Sequence, residues 1–174
     1  MTIPTQAQRS FFANAEAARE ALKMVLPMIE PQMSVSHVCG SGFLYIVIMD
    51  PALQPGQVKF EDAILLEHAV GDRSKWDADY AAFARAKAKA SWEHGLDGHR
   101  LQMLHPYRLR EGDSMLWGAV NLDGIVVGVS GAHAYYDEAF ATSIAACFKA
   151  VAKERWQQAV EARQLYAGGH DPSR

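Results

Sequence analysis

Apolar residues recur along this chain in two rhythms, a three-to-four-residue step and a dense β-branched run, and their alternation sets the expected architecture. Phe11, Phe12, Ala15, Ala18, Leu22, Val25, Leu26 and Ile29 keep the helical step, with Arg19, Glu20 and Lys23 off the stripe. Thr5 followed by Gln8 has the form of a capping box, in which each side chain satisfies an orphan backbone N–H, so a helix is expected to start there. Pro27 and Pro31 are expected to end that helix or kink its last turn, because proline lacks the backbone donor and collides with the preceding turn. Gly42 to Met49 is short, β-branched and aromatic, which predicts a central strand. A second strand is expected within Asp62 to Val70, antiparallel to the first, with Glu67 and His68 on opposite faces.

Asp77 to Glu93 is rich in alanine and free of glycine and proline, so a helix is expected there. Its face of Tyr80, Phe83, Ala84, Ala88 and Trp92 carries small residues that allow close approach to a sheet. His94 to Ser114, with Gly98, Pro106 and Gly112, reads as a long polar loop, of the kind that serves as lid, subunit arm or mobile segment. Leu116 to Asn121 and Ile125 to Val129 flank Asp123-Gly124, a hairpin signal because a type I′ turn needs positive φ at both central residues. Phe140, Ile144, Cys147, Phe148, Val151 and Trp156 form the stripe of a last helix. The expected order is α-β-β-α-β-β-α, an α/β (α+β) domain with an antiparallel sheet under packed helices. It spans residues 1–166, and 167–174 are expected to be a disordered tail.

Composition leaves this picture intact and narrows the partners. The 174 residues are 49% hydrophobic and 21% charged, ordinary for a globular chain, and the net charge of -3 argues against nucleic acid. No apolar run approaches a membrane span, and MTIPTQAQRSFF lacks the basic start and apolar core of a signal peptide. With two cysteines only, Cys39 and Cys147, the chain is expected in the reducing cytoplasm. Cys147 falls in an apolar stripe as a core thiol, whereas Cys39 beside Gly40 has a more permissive setting without an evident activator.

The chemistry concentrates after the last strand. Gly128 to His133 leads into a helix starting near Tyr135 to Asp137, and free N–H groups at such a start favour a carboxylate or phosphate. Alternatively Gly131 only shapes the turn, and Ser130 or His133 caps the helix. Tyr135 and Tyr136 suit stacking on a flat ligand, an interface anchor or a staple on the helix start. Gly128-x-Ser130-x-Ala132 approaches a nucleophile elbow, but the sheet is not parallel and no suitable acid and histidine follow. His94, His99 and His105 match no zinc spacing and read as solvated loop groups.

The residues Ala84 to Ser91, Gly118 to Asn121 with the Asp123-Gly124 turn, Ile125 to Gly131, and Asp137-Glu138-Ala139 resemble the GlcG-like and HbpS-like family. The same domain ends PduO-type adenosyltransferases. The first half departs from the family pattern, keeping Asp50 but placing Pro51 where a glycine-bearing turn is usual. The resemblance implies a profilin-like fold, homo-oligomers and a small-molecule ligand, with haem or another planar carboxylated molecule as the candidate. The ligand residues expected at the turn and helix start are Ser130, Gly131, His133, Tyr135 and Asp137, with His133, at the pocket lip, as haem-iron ligand and His105, on the long loop, as second choice. The expected pocket lies between the last helix N-terminus and the sheet. Two other readings stay open: an enzyme acting on a small organic acid or aldehyde-derived metabolite through His133 or Asp137, and a ligand-free assembly module.

Overall fold

The computed structural model describes residues 7–169. Helix α1 covers Ala15–Ile29, and its cap is Asn14, whose Oδ1 accepts the N–H groups of Glu16 and Ala17 at 3.1 Å each. This start lies well past the expected one; Thr5 is outside the described residues, and Gln8 is not helical. The segment before Asn14 is drawn away from helix by distant partners: Ser10 N–H donates to Asp50, and Arg9 bonds Asp50 and the Asp62 carbonyl. Phe11 consequently sits off the buried stripe and is exposed. Pro27 stays inside α1, exposed to solvent, and the chain passes at Glu30–Ser34 into a 3-10 turn with Pro31 at its start. The carbonyl that Pro27 leaves without its usual helical partner is on Lys23, an exposed residue that water reaches.

Strand β1 is Leu44–Met49, followed by a one-turn helix α2 at Phe60–Ala63 and strand β2 at Ile64–Val70. Helix α3 spans Tyr80–His94, capped by Asp79 and ended at Gly95, whose φ of 67° places it in the left-handed region. A further helix α4, Gly98–Leu104, and a 3-10 turn at Pro106–Arg108 occupy the stretch expected to be loop. The hairpin strands are β3, Ala119–Leu122, and β4, Ile125–Ser130, and helix α5 runs over Ala134–Glu161. Asp123 and Gly124 have φ of 52° and 90°, as the type I′ turn requires.

The sheet order is β2-β1-β4-β3, all antiparallel. Both central strands are buried along their whole length because helices cover each face. Helices α1 and α5 pack on one face with Ile46, Ile48, Val127 and Val129; α3 packs on the other with Tyr45, Val47, Met49 and Val126. A Cβ at Gly128 would lie 2.7 Å from the Ala84 carbonyl and the Ala88 methyl, so glycine facing alanine lets α3 rest directly on β4. Glu67 and His68 do point apart: Arg85 of α3 grips Glu67 at 2.6 and 2.7 Å, while His68 faces α1.

Helix α4 has one wholly buried apolar residue, Leu101, too few to show as a stripe. It is held by tertiary contacts instead. Asp97 accepts the Asn121 N–H at 2.8 Å, and buried His94 and Asp113 meet at 2.7 Å. Of the stretch expected to be a disordered tail, Ala167–Gly169 form a 3-10 turn, and 170–174 lie outside the described residues.

Candidate functional site

The chain leaves β4 at Ser130, which is buried opposite Tyr45, and turns at Gly131 with φ of 140°. A Cβ there would collide with the Phe43 carbonyl, so the crossing over β1 requires glycine. The next residues spend the N–H groups that make a helix start attractive to anions. Ala132 N–H donates to Asp137 Oδ1 at 2.9 Å, the Gly131 N–H favours the same carboxylate, and His133 N–H donates to the Val38 carbonyl at 3.0 Å. The turn therefore holds an anion belonging to the chain itself, the Asp137 carboxylate.

Asp137 is 1% exposed, and its second oxygen accepts from Lys87 Nζ at 2.8 Å. Lys87 also donates to the Val129 carbonyl at 3.1 Å. Gly118, at φ of 132°, lets this bridge pass, since a Cβ would sit 2.6 Å from Asp137 Cβ and 3.2 Å from Lys87 Nζ. Burial pushes the Asp137 carboxyl up to about 6, against the pull of Lys87 and the two backbone N–H groups. The space between the α5 N-terminus and the sheet is thus filled by an ion pair joining α3 to α5.

The outer side of the same turn is different. His133 makes no side-chain cap and is exposed, its ring parallel to Tyr135 with centroids 5.8 Å apart and planes 17° from parallel. Tyr135 is 58% exposed and leans on Tyr136 at 5.0 Å. Tyr136 packs towards Phe140 and meets exposed His37 edge-on at 6.5 Å. The five expected site residues therefore divide: Ser130, Gly131 and Asp137 build the inner turn, whereas His133 and Tyr135 form an aromatic ledge outside it. His37 was not singled out from sequence, and an isolated histidine in a polar stretch offers no local pattern that would have found it.

The remaining histidines stand in separate settings. His94 is buried with Asp113, His99 stacks on Trp117 at 4.6 Å within 3.7 Å of Glu138, and His105 bonds Tyr107 at 2.9 Å. Burial raises the Glu138 carboxyl, with His99 opposing and Asp97 adding to the rise. Cys39 corrects the permissive setting expected of it: the thiol is buried beneath the turn, against the carbonyls of Phe43 and Gly131. Among the described residues, no helix is long and apolar enough to cross a membrane.

A four-stranded antiparallel sheet between helical layers, with a long C-terminal helix entered through a glycine turn, defines an α+β protein of the profilin-like class. The chain matches no family model and no curated protein. Among solved structures it resembles Klebsiella pneumoniae protein ORFY, described under the family model DUF336, with 17% identity and a TM-score of 0.50. The match covers 86% of this chain and 97% of that one. At that identity the likeness is one of fold.

Proposed function

We propose that this chain is a GlcG/HbpS-type protein that binds a flat, carboxylated small molecule on the aromatic ledge, with haem the named candidate. The fold of ORFY supports the family reading, since DUF336 is the GlcG-like family. The observation that carries the ligand reading is the exposed, parallel pair His133–Tyr135, whose imidazole is not used for capping. Aromatic rings contact a conjugated macrocycle by face or by edge, and an unused imidazole is a competent iron ligand. Haem would supply the ligand-field and redox chemistry; His133 would hold its iron through a ring nitrogen, and Tyr135, whose ring runs parallel to that imidazole, would contact the macrocycle by its edge, while Ser130, Gly131 and Asp137 keep the ledge in place.

Asp137 near pH 6 also suits general acid–base work on a small organic acid or aldehyde-derived metabolite, which keeps an enzyme as the second reading. Both of its oxygens are engaged within the fold, so binding stands first. Exposed Met103, Leu104, Tyr107, Met115 and Leu116 around α4 offer apolar surface for a homo-oligomer.

Titration with hemin tests the reading. A saturable Soret shift that disappears in His133→Ala supports it. A shift retained in that variant moves the iron ligand elsewhere, with His37 and His105 next in line. Absence of any saturable shift overturns haem.

A further inference from the structure

A second surface lies on the opposite side of α1 from its contact with α5. Because β2 is an edge strand and α1 packs chiefly against α5, the two elements diverge and leave a groove of about 260 Å³. Its floor is apolar, made by Leu22, Leu26 and Leu66, and Arg19, Lys23 and His68 rim it. The acidic side chains of α1 do not neutralise that rim: Glu16 and Glu20 turn to Arg155 of α5. Among the described residues Arg19 and Lys23 have no acidic partner within ion-pair distance.

We infer that the α1–β2 groove is a binding site for a free, medium-chain monocarboxylate, with the chain on Leu22, Leu26 and Leu66 and the head group between Arg19 and Lys23. Two cations one helical turn apart beside an apolar floor match an amphipathic anion in both charge and polarity. The polarity of the groove fixes the orientation. Glu30 lies close enough to His68 to act on it electrostatically, so that end disfavours an anion and the carboxylate sits with the two cations. The volume falls just under the roughly 300–1,000 Å³ of sites for drug-sized ligands, which suits a short chain better than a long-chain lipid. This site shares no residue with the ledge of His133 and Tyr135 and does not depend on what binds there.

Calorimetric titration of the full chain with octanoate, paired with amide chemical-shift mapping, tests the inference. Saturable binding is expected, with shifts confined to α1 and β2. Affinity should fall roughly tenfold or more in the Arg19→Gln, Lys23→Gln double variant, the loss expected for charge-assisted bonds. Both side chains are exposed, so the variant should keep its fold, and an unchanged Tm verifies that. Acetate should fail to bind for want of a chain, and 1-octanol should bind more weakly for want of charge. No saturable binding, shifts mapping elsewhere, equal affinity for octanol, or an unaffected double variant would each overturn the site. Sedimentation showing self-association lost in Lys23→Glu, without an octanoate response, would assign the groove to a second copy instead.

Discussion

Lys87 of α3 and Asp137 of α5 meet at 2.8 Å across the end of the sheet, both shut away from solvent, under a glycine whose missing side chain leaves room for them. Their helices lie on opposite sides of the sheet, so the pair fastens the two layers together. It also fixes what the α5 N-terminus offers to a ligand, because Asp137 takes the turn's N–H groups.

Removing one partner should therefore cost more than removing both. Lys87→Met or Asp137→Ala leaves a buried charge unpaired, and a loss of about 3–5 kcal/mol is expected in urea unfolding. The double variant Lys87→Met, Asp137→Leu should recover much of that loss. A double variant as unstable as the sum of the singles would show that the two charges act separately.

The same carboxylate makes stability depend on pH in an unusual direction. Its folded value, about 6, exceeds the ordinary 3.8, so the folded chain holds the proton more tightly than the unfolded one. The contribution is fully present below pH 3.8 and is lost as pH rises through about 6. Compared with Asp137→Asn, the wild-type Tm should decline across that window as pH rises. Parallel Tm profiles for the two proteins would remove Asp137 as the cause.

Gly131 should tolerate no side chain. Its φ of 140° lies outside the range ordinary residues adopt, and a Cβ would run into backbone of β1, which cannot swing aside as a flexible side chain does. Gly131→Ala is expected to lower stability by about 3 kcal/mol or more, combining backbone strain with overpacking. Gly124→Ala, at φ of 90° but with open space around it, should cost less. Thermal unfolding of the two variants gives the comparison directly.

His94 and Asp113 form the latch that holds the α4 segment to α3. Burial works to raise the Asp113 carboxyl, but the Arg110 N–H and His94 outweigh it, and the net direction is down. A carboxylate lowered in this way stabilises above its ordinary range and loses that effect as pH falls through the depressed value. Asp113→Asn should speed amide exchange through residues 98–113 while leaving the sheet protected. Unchanged exchange in that segment would mean that Leu101, Trp117 and the Asp97–Asn121 bond hold it without the latch.

Much of the fold was legible in local pattern. The stripe of Leu22, Val25 and Ile29, the run of Leu44 to Met49 and the Asp123-Gly124 turn each depend on neighbours a few residues apart, and each folds as its spacing requires. Helix α1 starts from Asn14 and not near Gln8 because Asp50 and the Asp62 carbonyl hold the chain before it. Helix α4 escaped notice because one buried leucine makes no periodicity, and its anchors, Asn121 and Trp117, come later in the chain.

The candidate site divides in the same way. The sequence alone determined the order of the four strands and the three longer helices, and the glycine turn that carries Ser130 to Asp137 after β4, since these are properties of short contiguous stretches. Only the tertiary structure decided that Asp137 faces inward to Lys87, that His133 and Tyr135 remain outside, and that His37 joins them. Burial and pairing between residues far apart in the chain are settled by how the layers close, and local spacing carries no record of that closure.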